Sequence, residues 1–307
     1  MIRRCIILNP WAGRGMAGRR RAELEHMLHA NGIAFDLITT HARGGATELT
    51  YQAIERGYNQ IIAVGGDGTI NEIVNGIMGS RSNVRAPATL GIVPLGTGSD
   101  FIKVLDGVRP NDLTGAVRRI AIGRTSAVDV GRIRARNPFQ EHERYFINGM
   151  GMGVDAQVTV ESLKITHFKG RAVYLMAILR ALSTYRAYPM SVRFDQQQIH
   201  KRMLFTSIAN GRCQGGSFWM TPEALINDGW LDLCMVDHLR PDQIMRYLPL
   251  LMRGTHTRLR YVTMGRARHI TVDCVAPFPV AADGEVIATD ARHVEVEVLP
   301  GAIEVVG

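Results

Sequence analysis

The feature that most constrains this chain is an apolar run, Gln60 to Val64, that passes without a spacer into Gly65-Gly66-Asp67-Gly68-Thr69 and then into Ile70, Ile73, Val74 and Ile77. A short apolar run bounded by glycines reads as a strand buried on both faces, and the spacing that follows reads as a helix. Such strands belong to parallel sheets whose two faces are covered by helices. The same unit recurs through the first part of the chain. Arg4 to Asn9, Ala34 to Thr39 and Leu90 to Val93 read as strands, and Arg19 to Asn31 and Ala46 to Arg56 as helices. The fourth strand runs into Pro94-Leu95-Gly96-Thr97-Gly98-Ser99-Asp100 and another helix. Residues 1–127 are therefore expected to form an α/β domain, a parallel sheet with helices on both faces. Ligands of such sheets bind beyond the carboxyl ends of the strands, where the glycine turns lie.

After residue 127 the rhythm changes to strands, with cores at Thr125 to Ile133, Arg144 to Asn148, Met190 to Phe194, Met203 to Asn210, Trp230 to Val236, His269 to Val275 and His293 to Leu299. Helical stretches interrupt at Gly170 to Tyr185 and Pro241 to Arg253. This predicts a second domain, 128–307, built as a mainly antiparallel β sandwich. Two domains also suit 307 residues, more than one hydrophobic core usually serves.

Composition removes several classes. With 46% hydrophobic and 21% charged residues the chain is neither disordered nor a coiled coil. The longest apolar stretch, Tyr174 to Leu182, is broken by Arg180 and is too short to span a bilayer. The first ten residues lack the core and cleavage site of a secretory signal, so a cytoplasmic location is expected. Cys5, Cys213, Cys234 and Cys274 are far apart and fit neither a zinc site nor a disulfide framework. The net charge of +8 makes anionic partners worth weighing, but all but four of the 36 basic residues are Arg and no nucleic-acid motif accompanies them. No nucleic-acid partner is expected.

Two glycine motifs compete for a nucleotide. Gly13, Gly15 and Gly18 spell G-x-G-x-x-G, with Asp36 at the distance of a ribose-binding acid. Four residues separate the first strand from Gly13, however, and Asp36 falls inside its strand, which argues against a dinucleotide turn. The Gly65–Thr69 turn is more specific. Its backbone N–H groups and the helix that follows can face a phosphate. Asp67 suits such a site only with Mg²⁺ or its water shell in between. Pro94–Asp100 supplies a second such turn with its own carboxylate. No G-x-x-x-x-G-K-[ST] is present, which excludes a P-loop enzyme.

The ordered set Asn9-Pro10-x-x-Gly13, Gly65-Gly66-Asp67-Gly68-Thr69-x-Asn71-Glu72, Pro94-Leu95-Gly96-Thr97-Gly98-x-Asp100, Gly151-x-Gly153-x-Asp155-Ala156 and Asp283-Gly284-Glu285 resembles the diacylglycerol kinase catalytic family, which includes bacterial lipid kinases and sphingosine and ceramide kinases. The resemblance covers nearly the whole chain. It implies an ATP- and Mg²⁺-dependent lipid kinase of phospholipid metabolism, with the active site in the cleft between the domains. Asn9 and Thr40 would border the nucleotide. Gly66, Asp67, Gly68, Thr69, Ile70, Asn71 and Glu72 would wrap its phosphates, joined by Gly96, Thr97 and Ser99. Asp283 or Glu285 would take the proton of the lipid hydroxyl, and Asp67 would serve catalysis beside them. Asp228, with the carbonyls of Leu225 and Trp230, matches a structural Mg²⁺ loop. Ser99 departs from the Asn usual there, which puts one nucleotide contact in doubt.

The residues themselves leave Asp283-Gly284 readable as a hairpin turn, in which case Asp283 and Glu285 need not share a face. The same holds for Asp228-Gly229. Lys164, Phe168, Lys169 and Arg171 before Val173 to Leu182 could rest transiently on an anionic membrane surface, although Leu175, Ile178, Leu179 and Leu182 have the spacing of a core helix. A homodimer is compatible with the sequence. Two alternatives stand beside the lipid kinase: a non-catalytic lipid- or nucleotide-binding relative, and a soluble-substrate kinase acting on NAD.

Overall fold

The structure, a computed structural model, describes residues 2–80, 88–96, 100–105, 107–165, 171–183 and 186–306, with the backbone alone for Arg171, Ala172, Tyr174 and Leu175. The chain divides into two compact units, one of residues up to Val128 together with Gly301 onward, the other Asp129–Pro300. The last residues of the chain, Gly301 onward, thus belong to the first unit and not to the one that precedes them in sequence.

In the first unit β1 (Arg4–Leu8), β2 (Asp36–Thr39), β3 (Gln60–Gly65) and β4 (Thr89–Pro94) lie in the order β2-β1-β3-β4, each pair parallel. The strands are buried on both faces, as their uninterrupted apolar sequences require. Ile6, Leu8, Ile62 and Val64 pack with Leu24 and Leu28 of α2 (Arg21–Ala30) and with Val117 and Ile120 of α5 (Leu113–Ile122). Cys5, Ile7, Ile61 and Ala63, at the alternate positions, are just as fully buried. Helices α3 (Gly45–Glu55) and α4 (Asp67–Ser80) contact β1 and β3 respectively and each other. They approach so closely that a Cβ on Gly76 would stand 2.5 Å from Thr50 Cβ. The chain's end extends the sheet, Val305 pairing in parallel with Leu90. Segment α1 (Ala12–Arg19) is interrupted by left-handed Gly13, Arg14 and Gly15.

The second unit is antiparallel. Strands β11 (Val262–Ala267), β10 (Leu231–Asp237), β9 (Gln197–Ala209), β7 (Gly149–Gly153), β12 (His269–Ala282) and β13 (Glu285–Val306) neighbour one another in that order, β13 running on into the first unit. Strand β8 (Tyr188–Phe194) also lies between β9 and β12, and β5 (Thr125–Arg136) pairs with β6 (Glu141–Phe146). One core holds Phe146, Met150, Met152, Phe194, Ile208, Leu233, Val272, Phe278 and Val294. A second holds Val154, Phe205, Met220, Cys234, Val236 and Ile244, with contributions from α6 (Val154–Leu163), α7 (Arg171–Ser183) and α8 (Pro241–Met252). Of the apolar stretch read as either core or membrane surface, Ala177, Ile178 and Ala181 are buried and Leu179 is exposed. Phe168 and Lys169 lie outside the described residues. All four cysteines are buried and unpaired with one another.

Candidate functional site

The strand order β2-β1-β3-β4 reverses between β1 and β3, so the crevice of this sheet opens where those two strands end. Asn9 follows β1 directly and ties the two ends together. Its backbone N–H donates to Val64 O at 3.0 Å and its Nδ2 to Thr69 Oγ1 at 3.1 Å, while its Oδ1 accepts from Trp11 N–H at 3.1 Å. Thr40, at the end of β2, is buried and donates its N–H to Leu8 O at 2.9 Å.

The glycines of the two turns are required by close approach. A Cβ on Gly96 would lie 2.4 Å from Gly66 Cα, and one on Gly65 would lie 2.4 Å from Thr69 Oγ1. The turns after β3 and β4 are thus pressed backbone to backbone. Gly68 differs, because nothing stands within 4 Å of where its Cβ would be. It sits in the first turn of α4, whose leading N–H groups have no partner within the helix. That open, donor-rich position suits a phosphate chain.

Asp67 begins α4 and Asp100 closes the neighbouring turn. Asp67 Oδ1 accepts from Phe101 N–H at 3.2 Å, and Asp100 Oδ1 accepts from Lys103 Nζ at 2.8 Å. Burial pushes the Asp67 carboxyl above its ordinary range, and the charge of Asp100 adds to the rise; backbone N–H groups and Lys103 partly offset both. A buried carboxylate raised by the charge of its neighbour favours added positive charge, and oxygen donors beside a phosphate site are what Mg²⁺ takes. The pair fits such an ion. Among the described residues no three His, Cys, Asp or Glu side chains form a ligand cluster, so water and phosphate oxygens would complete its shell.

Other residues expected around the phosphates make contacts within the protein. Ile70 is in the core and its N–H is bonded to Gly66 O at 3.1 Å. Asn71 is buried and accepts at Oδ1 from Asn75 Nδ2 at 3.1 Å. Glu72 is engaged at both oxygens. Its two oxygens accept from Gly44 and Ala46 N–H, each at 2.9 Å, so the carboxylate caps the start of α3. Thr97 and Ser99 lie outside the described residues. The G-x-G-x-x-G glycines have packing reasons: a Cβ on Gly13 would meet Leu95 O at 2.9 Å and one on Gly18 would meet Pro10 O at 2.9 Å. Asp36 stands at the first position of β2, away from those turns, and accepts from the Tyr58 hydroxyl at 2.5 Å.

In the second unit Asp283 and Gly284, both with positive φ, make the two-residue turn joining β12 to β13, with Ala282 paired to Glu285. The Asp283 carboxylate is not turned to water. It accepts from the N–H groups of Ile147 at 2.9 Å, Asn148 at 3.2 Å and Gly149 at 2.8 Å. Glu285 Oε2 accepts from Arg144 at 3.2 Å. The structure therefore separates two acids that the sequence left equivalent: Asp283 anchors the start of β7.

Asp228 Oδ1 accepts from Trp230 N–H at 3.0 Å, and its Oδ2 is paired with Arg266. Asp232 lies opposite Arg266 on β10, its Oδ2 buried with no partner among the described residues. Burial pushes Asp232 up to about 6; Arg266 counters this, and Asp228 and Glu223 add to it. In this arrangement the Arg266 guanidinium takes an Asp228 oxygen that a divalent ion held with the Leu225 and Trp230 carbonyls would otherwise use.

Sequence reasoning missed two carboxylates. Asp129, fully buried, accepts at Oδ2 from Gly229 N–H at 2.6 Å and so holds the Asp228 corner; inside an apolar strand it carries no motif signal. Asp155, in the first turn of α6, folds back over Gly151, where an added Cβ would lie 1.9 Å from its Oδ2. It stood within a quoted motif but had no assigned role.

Residues 3–133 match the diacylglycerol kinase catalytic domain, and residues 148–307 the YegS C-terminal NAD kinase beta sandwich-like domain. A diacylglycerol kinase of Staphylococcus epidermidis is 28% identical over 281 residues, 91% of this chain and 84% of that protein. One of Staphylococcus haemolyticus is 29% identical over 287 residues, 92% and 83% respectively. A crystal structure of a diacylglycerol kinase from Bacillus anthracis has the same fold, with TM-score 0.70 at 21% identity over 99% of this chain and 96% of that one. Yeast NADH kinase, solved with NADH, shares it more distantly, with TM-score 0.54 at 11% identity over 99% and 82%. With both halves matched and the glycine turns packed as they are, the chain belongs to the diacylglycerol kinase catalytic family.

Proposed function

We propose that the chain is a lipid kinase that transfers the γ-phosphoryl group of ATP to a hydroxyl of a diacylglycerol-like membrane lipid, with Mg²⁺. The observation that carries this reading is the pair of glycine turns pressed together beside Asp67 and Asp100, with Gly68 open to solvent at the start of α4. When bound, Mg·ATP supplies the transferable phosphoryl group and the cation that offsets its charge.

The chain's own residues bind, orient and move one proton. The first N–H groups of α4 and the turn at Gly66 hold phosphate oxygens, and Asp67 with Asp100 would hold the cation. Asn9 fixes the Thr69 hydroxyl in place, and Gly96 completes the floor of the turn; Thr40 borders the base or ribose. In the reaction the lipid oxygen forms a bond to the γ-phosphorus as the bond from that phosphorus to the β-bridging oxygen breaks. The hydroxyl proton passes to the Glu285 carboxylate and ADP leaves. Asp283, its oxygens already occupied by backbone donors, is a positioning residue for Glu285. Transfer of this kind rests mainly on positioning and charge neutralisation. Among the described residues no helix is long and apolar enough to cross a membrane, so the lipid would be taken from the bilayer surface by transient contact.

The test is to supply Mg·ATP together with mixed micelles of several hydroxyl lipids and, in a parallel reaction, NAD. Phosphate in a lipid product is the expected result. Phosphate only in NADP would make this a soluble-substrate kinase, and no transfer with ATP bound would make it a binding relative.

A further inference from the structure

Strand β7 reads Gly149-Met150-Gly151-Met152-Gly153. Met150 and Met152 enter one core, so the three glycines share the opposite face. That face is filled from elsewhere in the unit. A Cβ on Gly149 would meet Gln214 Nε2 at 2.4 Å, one on Gly151 would meet Asp155 Oδ2 at 1.9 Å, and one on Gly153 would meet Leu204 O at 2.9 Å. Across the sheet, Gly151 registers with Ala281 on one side and with Ser207 on the other; Ser207 in turn registers with Cys234. Alanine, glycine, serine and cysteine in one row leave the sheet low under Asp155.

The groups at this spot are polar next to apolar. Gln214 Nε2 donates to Ser207 Oγ at 3.0 Å, and Ser207 donates to Met150 O at 3.2 Å. Those two side chains thus satisfy one another. Asp155 has no hydrogen-bond or ion-pair partner among the described residues. It is part-buried, and burial pushes its carboxyl up to about 6 despite its place at a helix start where negative charge is favoured. Its sequence neighbour Val154 belongs to the second core of the unit, with Phe205, Cys234, Met220 and, partly buried, Val158 and Phe218. An acceptor-only group without a donor, beside an apolar cluster that remains partly exposed, is the complement of an amphiphile's head.

We infer that Asp155 is a specificity-determining residue that accepts a hydrogen bond from an O–H or N–H donor on the uncharged or cationic head of an amphiphile and disfavours an anionic head. The inference rests on the lipid-kinase reading above and narrows its acceptor. A carboxylate offers no donor to a phosphodiester head and repels its charge, while a hydroxyl or ammonium head supplies the missing donor. Gly149 and Gly151 are two residues apart on one strand, so the Asp283 anchor at Gly149 and the carboxylate over Gly151 are spaced about 7 Å along it. That is the scale of a glycerol or amino-alcohol head.

The test titrates dihexanoylglycerol, a short-chain sphingoid base and dihexanoyl phosphatidylglycerol into the wild-type protein and Asp155→Asn, and follows phosphate transfer and thermal melting separately. The wild type is expected to bind the neutral or the cationic probe at least about tenfold more tightly than the anionic one, and Asp155→Asn to lose about tenfold of that preference. The comparison of the first two probes tells which donor is used. The variant should melt no lower than the wild type, because the carboxylate it removes has no partner; a purely structural role would lower the melting point. Equal binding of all three probes, no binding of any, or an unchanged preference in the variant overturns the inference. Binding that depends on Asp155 without phosphate transfer would instead overturn the kinase reading and leave this inference standing.

Discussion

Asp283 and Gly149 are joined twice: Gly149 N–H donates to Asp283 Oδ1 at 2.8 Å, and Asp283 N–H donates to Gly149 O at 2.9 Å. The turn that carries Glu285 is thereby locked to the first residue of β7. Replacing Asp283 by Ala would leave three backbone donors without their acceptor and should cost about 3 kcal/mol, read by chemical denaturation. Glu285→Gln removes no such anchor. It should change stability by less than about 1 kcal/mol while lowering turnover about a hundredfold. Equal loss of stability in both variants would contradict the division of roles.

The two glycine turns make a second pair of opposite expectations. Gly96→Ala forces a methyl group against Gly66 Cα and should destabilise the protein by about 3 kcal/mol. Gly68→Ala meets nothing in the protein. It should leave the fold intact, and even gain a few tenths of a kcal/mol from helix propensity, but weaken Mg·ATP binding about tenfold. Calorimetric titration beside a melting curve separates the two effects.

Asp155 also predicts a pH signature. Its carboxyl titrates at about 6 in the folded protein, against 3.8 for an aspartate in water. The native state therefore keeps a proton that the unfolded chain has released, and stability falls as pH rises from about 4 to about 6 and stays lowered above. Asp155→Asn removes this penalty. It should raise unfolding free energy by at most about 3 kcal/mol at pH 7.5, a gain that disappears below about pH 4. Unfolding curves at pH 4, 6 and 7.5 check the sign.

Arg266 holds Asp228 and lies 3.6 Å from Asp232. Arg266→Met should cost about 1 kcal/mol at pH 7.5, since the guanidinium is half-exposed. The loss should shrink toward pH 5, where Asp232, which titrates at about 6, becomes neutral. Millimolar Mg²⁺ should raise the melting point of the variant by more than that of the wild type, in which Arg266 already holds Asp228. An equal rise in the two proteins would contradict this.

Much of this was legible before the structure. The alternation from Arg4 to Val93 and the two glycine turns announce themselves because buried strands and helix starts have local signatures. Strand β7 does not: three glycines in five residues read as a loop, and they form a strand because Gln214, Asp155 and Leu204 fill the space their side chains would take. Helix α6, which follows Gly153, was missed because its β-branched Val154, Val158, Thr159 and Val160 favour a strand, and β11 because its sequence is mixed. The contacts of Glu72 with Gly44 and Ala46 were not legible because those partners are 28 and 26 residues away. The pairing of Val305 with Leu90 is far more remote in sequence. Contacts of that range leave no periodicity to read.

The most direct test of the central claim measures ADP release and lipid phosphate in the same reaction, for the wild type, Asp67→Ala and Glu285→Gln. The account predicts that the wild type forms the two products in equal amounts, that both products fall together in each variant, and that Glu285→Gln still binds Mg·ATP. ADP formed without lipid phosphate, or full lipid phosphorylation by Asp67→Ala, would contradict it.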